Sequence, residues 1–156
     1  MTAMGIADIL TPERTRCCQG VGSKKRALSI LSELCAGSDE HARTLFDCLL
    51  AREKLGSTGL GFGVAVPHGR TRATDHAIGS LILLDRAIDF DASDNQPVDI
   101  LFGLFVPEES TQAHLKLLSQ LAKVFSQPGA RESLRKAGSA QMLFQRALQF
   151  HINESI

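Results

Sequence analysis

Apolar positions recur at helical spacing early in the chain: Ala27, Leu28, Leu31, Leu34 and Cys35, then Ala42, Leu45, Phe46, Leu49 and Leu50. Each set makes one stripe on a helix that must be buried. Ser23 and Ser38 stand where N-caps belong, and Gly37 and Gly56 stand where the helices stop. The second helix thus runs from Ser38 to about Lys54. Upstream, Ile6 to Leu10 predicts a helical turn before Pro12, and Thr15 to Val21 a first strand.

The period then changes from helical to alternating. Leu60, Phe62, Val64 and Val66 fall on one face of an extended strand, and Gly61, Gly63 and Ala65 on the other. A face of Gly, Gly and Ala lets a neighbour pack close to the backbone. Pro67 cannot donate to a sheet ladder, so it is expected to stop this strand and leave His68 at its mouth. Apolar runs from Ala77 to Leu84 and from Val98 to Val106 predict two buried strands, with a short extended piece at Ile88 and Phe90 and a polar turn between Asp91 and Pro97. Ser110 or Thr111 caps a long helix whose stripe is His114, Leu117, Leu118, Leu121, Val124 and Phe125, ended by Pro128-Gly129. Helices over Ala130–Ala137 and Ala140–Phe150 follow, with Met142, Leu143, Leu148 and Phe150 covering the sheet. The expected fold is α/β: a three-layer α/β/α sandwich with a mixed sheet of four or five strands, as one domain over residues 1–156.

Composition narrows the function. Of 156 residues, 44% are apolar, enough for a real core. Seventeen basic and seventeen acidic residues cancel. A nucleic-acid binder would show a basic excess, so no nucleic-acid partner is expected. The N-terminal residues have neither the basic region nor the apolar run of a signal peptide, and no stretch reaches membrane-span length. A cytoplasmic protein without membrane insertion is expected. The four cysteines, Cys17, Cys18, Cys35 and Cys48, show no C-x-x-C spacing and read as free, mostly buried thiols. Lys24-Lys25-Arg26 reads as a solvated face, His41 as a surface residue, and His76 receives no role. Asp85, Asp89, Asp91 and Asp94 do not match an EF-hand loop and read as solvated loop charge.

The candidate chemistry gathers between Ala51 and Arg70. A strand end held by Pro67 gives the His68 imidazole a rigid base open to partners. Imidazole can be a base, a metal ligand or a nucleophile. There is no G-x-S-x-G elbow for a hydrolase base, and no second metal ligand at short spacing. Nucleophilic acceptance of phosphate fits better, because Arg52, Ser57, Thr58 and the N–H-rich glycine backbone all suit a phosphoryl group. An ordinary strand-end surface histidine is the rival on these residues alone. Arg52 also lies where a cation favours a helix C-terminus, and His114, in a first helical turn, equally suits plain packing.

The strings Arg52-Glu53-Lys54-Leu55-Gly56-Ser57-Thr58-Gly59 and Gly63-Val64-Ala65-Val66-Pro67-His68-Gly69 resemble the phosphorylation-site signature of a known family. It is that of the enzyme IIA proteins of the bacterial phosphoenolpyruvate-dependent phosphotransferase system, in the mannitol, fructose and nitrogen-regulatory group. The resemblance implies that His68 carries the phosphoryl group, on Nε2 in relatives, and that Arg52 lines the site. It places a second histidine beside them in a helix of the pattern His114-Leu115-Lys116-Leu117-Leu118-Ser119-Gln120-Leu121-Ala122. The family's fold is likewise three-layered with a mixed sheet. Phe62 departs from the pattern, since relatives often carry a polar residue there. The segment Ser23 to Leu28 resembles the nitrogen-regulatory branch.

The resemblance implies a phosphocarrier charged by a phosphohistidine carrier protein, acting on regulatory targets such as kinases or transporters, with no metal or organic cofactor. The alternatives are a sugar-specific enzyme IIA that passes phosphate to a IIB domain, and a regulatory binding module without phosphotransfer. Transfer between proteins needs a shallow apolar rim, for which Leu60, Phe62 and Leu117 are candidates, with core packing as their other reading.

Overall fold

The computed structural model describes residues 5–150. Its elements run α1 (Ile6–Ile9), a 3-10 turn (Pro12–Arg14), β1 (Thr15–Cys18), α2 (Lys24–Cys35), α3 (Asp39–Glu53), β2 (Gly59–Gly61), β3 (Val64–Ala65), β4 (His68–Thr71), β5 (Ile78–Ile88), β6 (Val98–Pro107), α4 (Thr111–Phe125), α5 (Pro128–Arg135) and α6 (Ala140–Gln149). Ser23 and Ser38 cap α2 and α3 as expected: their hydroxyls accept from the Arg26 and His41 backbone N–H groups.

The sheet order is β1-β5-β6-β3-β2, with β4 also paired to β6. β5 and β6 are antiparallel, while β1 runs parallel to β5, and β3 and β4 run parallel to β6. The sheet is therefore mixed, as expected, with six strand segments. β3 and β4 lie end to end along β6, from Val64 beside Ile100 to Thr71 beside Pro107. The gap between them is Val66-Pro67. Proline has no N–H for the ladder, but its carbonyl still accepts from the Leu104 N–H at 2.9 Å. Pro67 thus interrupts the edge without ending it.

Alternation along β5 and β6 feeds two cores. Leu81, Leu83, Ile100, Phe102, Leu104 and Val106 pack with α1, α4, α5 and α6. Ile82, Leu84, Leu101 and Phe105 pack with α2 and α3 on the other face. Both faces are covered, giving the three layers.

Two expectations about the glycine-rich stretch are corrected. The single strand from Leu60 to Val66 is a hairpin, β2 and β3 antiparallel, with Gly61 opposite Val64. Its two turn residues, Phe62 and Gly63, have φ of 58° and 81°. A two-residue hairpin turn of the I′ kind needs both to be positive. Gly63 meets that freely, whereas Phe62 is held there by three distant groups. Its N–H donates to Asp94 at 3.1 Å, its carbonyl accepts from Arg135, and its ring lies under Arg131 at 4.3 Å. The turn breaks the alternation, so Phe62 is exposed while Val64 and Val66 are core. His68, in turn, opens β4 rather than closing a strand.

Lys24 is a further correction. Lys25 and Arg26 are exposed, but Lys24 folds inward onto Glu53 at 2.9 Å, the Phe90 carbonyl at 3.2 Å and the face of the Phe90 ring. The thiols divide evenly: Cys18 and Cys35 are buried, Cys48 is half-buried and Cys17 exposed, and all four are free. His41 is half-buried. Its Nδ1 accepts from the Gly37 N–H, which leaves Nε2–H to donate to the Ala73 carbonyl at 2.9 Å.

Candidate functional site

α3 ends beside the start of β4, and α4 begins just after β6. These three ends enclose an open cavity of about 570 Å³, lined by Cys48, Ala51, Arg52, Leu55, His68, Gly69, Arg70, Glu108 and His114. Gly69 makes the close approach possible. A Cβ on it would run into the Cys48 Sγ, so a larger residue would have to displace that side chain of α3.

His68 sits at the floor, half-buried. Its Nδ1 lies 2.8 Å from the Val66 carbonyl oxygen. A carbonyl only accepts, so Nδ1 carries the proton and Nε2 holds the lone pair in the neutral ring. Burial lowers the His68 pKa below its ordinary value, the Val66 hydrogen bond opposes that, and the Arg52 guanidinium adds to the lowering. At neutral pH the ring is therefore neutral, with one free nucleophilic nitrogen of fixed identity.

His114 packs against it edge-on, ring centres 5.3 Å apart and planes at 77°. It is 8% exposed, and its Nδ1 has no hydrogen-bond partner. Burial first, with His68, Arg70 and Arg52 acting the same way, brings its pKa down to about 4. Both imidazoles are thus neutral in a cavity whose fixed charges are mainly cationic. Arg52 spends one N–H on the Gly56 carbonyl at 2.9 Å, tying off the end of α3. Glu108, the acidic member, is engaged by Arg72 at 2.7 Å.

Of the residues expected at the site, His68, Arg52 and His114 come together. Ser57 and Thr58 do not line the cavity. The Ser57 hydroxyl donates to the Phe90 carbonyl at 3.1 Å and accepts from the Gly59 N–H. Thr58 is buried, and its hydroxyl donates to the Glu53 carboxylate. Both hydroxyls are committed to holding the loop, which removes the physical basis for expecting them on a phosphoryl group.

Arg70 was missed. It lies two residues from His68 on β4, so strand alternation alone puts it on the same face. Of the three rim candidates, Leu117 takes its core reading, and Leu60 and Phe62 are exposed but do not line the cavity. Leu55 beside Arg52 and Leu115 beside His114 are 84% and 67% exposed. Among the described residues no group of three or more His, Cys, Asp or Glu is placed to hold a metal. Also among them, no helix is long and apolar enough to cross a membrane.

The cavity thus presents a neutral histidine, backed by guanidinium groups, at an open surface. The chain belongs to the family of phosphoenolpyruvate-dependent sugar phosphotransferase system EIIA 2 domains, whose model matches residues 8–149. A nitrogen regulatory protein of Pseudomonas aeruginosa is 44% identical over 142 residues, covering 90% of this chain and 92% of that one. One of Escherichia coli is 43% identical over 146 residues, covering 92% and 90%. The crystal structure of nitrogen regulatory protein IIA-Ntr from Neisseria meningitidis superposes with a TM-score of 0.82 at 44% identity, over 91% of this chain and 98% of that one. These likenesses support a phosphocarrier of the phosphotransferase system with a nitrogen-regulatory role, as the resemblance in the sequence implied.

Proposed function

We propose that the protein takes a phosphoryl group onto His68 Nε2 from a phosphohistidine carrier protein and, charged or uncharged, signals to regulatory partners in the cytoplasm. The observation that carries this reading is the Nδ1–H bond from His68 to the Val66 carbonyl, which leaves Nε2 as the free nucleophile. The transfer breaks the donor's N–P bond and forms the Nε2–P bond. The donor nitrogen recovers the lone pair, and His68 keeps its Nδ1 proton throughout. Arg52 and Arg70 offset the charge on the phosphoryl oxygens, and neutral His114 supplies an N–H to one of them. Because the bond formed is of the same kind as the bond broken, the phosphoryl group stays available for onward transfer. Leu55 and Leu115 form the apolar rim on which a donor rests.

Phosphorylation adds negative charge and strong acceptors at one surface point, so a partner docked over the cavity binds one state preferentially. The test is incubation with phosphoenolpyruvate and the two upstream carriers. The expected product is one acid-labile, base-stable phosphate, absent from His68→Ala and placed on Nε2 by phosphorus–nitrogen coupling. Label surviving on His68→Ala would overturn the assignment. Equal partner affinity for the charged and uncharged forms would overturn the signalling part.

A further inference from the structure

The hydrogen bonds that set the His68 tautomer continue well beyond Val66. The Val66 N–H donates to the Thr58 carbonyl at 3.1 Å. Thr58 is held in turn by the buried Glu53 carboxylate, which accepts the Thr58 N–H at 3.1 and 3.3 Å and also the Thr58 hydroxyl. Glu53 has a side chain only 3% exposed and is matched by Lys24 at 2.9 Å. Lys24 is itself fixed by the Phe90 carbonyl and ring, with Asp91 at 3.9 Å beyond. A line of contacts therefore runs from α2 through the end of α3 and the loop before β2 to the carbonyl that receives the His68 proton. Resting on the phosphoryl-acceptor reading of His68, we propose that Glu53 is a positioning residue for that reaction, acting through Thr58 and Val66 to hold the carbonyl that keeps the proton on His68 Nδ1.

The placement gives Glu53 a task that packing alone does not require. Consecutive helical residues point about 100° apart, so one turn of α3 sends Arg52 to the cavity and Glu53 to the loop behind it. A buried carboxylate is costly to keep, and a neutral residue of the same volume would fill the space. What a carboxylate adds is acceptors for two donors of one residue, with charge-assisted bonds that are shorter and stronger than neutral ones. The Val66 carbonyl needs that stiffness. It precedes Pro67, which supplies no N–H, so the ladder to β6 does not hold it from that side. In water, neutral histidine prefers the proton on Nε2, so the reverse tautomer at His68 has to be imposed. The other ionisable groups at His68 are Cys48 and Arg52 on α3, Arg70 on β4, Glu108 after β6 and His114 on α4. Each lines the cavity.

The test reads the tautomer directly, by long-range proton–nitrogen correlation on the unphosphorylated, histidine-labelled protein at pH 7.5, and separately the initial rate of phosphoryl acceptance. Wild type should show mainly Nδ1–H at His68. Glu53→Gln should give a tautomer mixture and a rate lower by about tenfold, the effect of a loss near 1.4 kcal/mol. Thr58→Ser, which keeps both donors, should restore wild-type values. Thr58→Val, which keeps only the N–H, should fall between. A slowed Glu53→Gln with a wild-type tautomer ratio would mean that Glu53 merely supports the fold, and would overturn the proposal, as would no change in either quantity. Should Glu53→Gln not fold, Thr58→Val decides by the same two readouts. The tautomer ratio does not depend on phosphorylation: a wild type that accepts no phosphate would sink the acceptor reading while the ratio still judges the positioning.

Discussion

The two histidines of the cavity stand 5.3 Å apart and are prepared in opposite ways. His68 opens a strand, its Nδ1 is tied to a backbone carbonyl, and the ties behind that carbonyl reach the ion pair of the buried Glu53 with Lys24. His114 lies in the first turn of a helix, deeper than His68, with Nδ1 left unpaired. One ring has its tautomer dictated by the chain, and the other has a polar atom in reserve. On the proposed function, the difference separates two tasks. A nucleophile must offer the same nitrogen each time, which rewards a fixed tautomer. A group that meets the incoming phosphoryl oxygens gains from an N–H not already spent on the protein.

The most direct way to break this comparison is to exchange the histidines' fates. His68→Ala should abolish phosphoryl acceptance, whereas His114→Ala should only slow it, by about tenfold for one lost hydrogen bond to a charged group. Equal and complete loss in both would mean that the pair acts as a unit. Arg52→Gln comes next. Loss of a guanidinium facing a developing phosphoryl charge should slow transfer by about 10- to 100-fold. It should also raise the His68 pKa, since Arg52 helps to lower it. The acid limb of the rate profile reports this. In wild type, the limb set by His68 should lie below pH 6.5, and in Arg52→Gln it should move upward. A limb that stays in place would show that the guanidinium does not face the ring.

Gly69→Ala sharpens the comparison on the His68 side alone. Its Cβ would meet the Cys48 Sγ, which should cost about 1–3 kcal/mol of stability and shift Arg52 relative to His68. Adding Cys48→Ala should return most of both losses. Chemical denaturation and transfer rate, measured on the single and double variants, check this. A double variant no better than Gly69→Ala would place the strain elsewhere.

What the sequence made legible follows the same division. His68, Arg52 and His114 were readable because each sits in a motif at an element end, and element ends were marked by Ser38, Gly56, Pro67 and Pro128. Arg70 was equally readable from its spacing to His68, and only the weight placed on the glycines hid it. The committed hydroxyls of Ser57 and Thr58 were not readable. Their partners, Glu53 and the Phe90 carbonyl, are chosen by how the end of α3 and the loop after β5 come together in space. Lys24 was misread for the same reason, since Glu53 lies on another helix. The hairpin was misread because Phe62 adopts a backbone conformation that side chains rarely take. The groups that hold it there, Asp94, Arg131 and Arg135, lie far along the chain.

The smallest expected effect concerns His114 and stability rather than transfer. A histidine with an ordinary pKa of 6.5, lowered to about 4 in the fold, is neutral in both states well above pH 6.5. Below that pH the unfolded chain takes up a proton that the folded chain refuses. The unfolded state then binds more protons, so stability falls as pH falls from 6.5 towards 4, and the loss is complete only below both values. Between pH 7.5 and 6 the expected loss is about 1 kcal/mol. His68, whose pKa is also lowered, adds to it in the same direction. His68, Arg70 and Arg52 push the His114 pKa down, so the shift belongs to the cluster and not to burial alone. Urea denaturation at pH 7.5 and pH 6 on wild type, His114→Gln and His68→Gln separates the two rings. His114→Gln should lose less stability than wild type over that interval, and His68→Gln should keep most of the dependence. Should His68→Gln flatten the profile instead, the deeper ring would not be the one that resists protonation, and the contrast between the two histidines would have to be reversed.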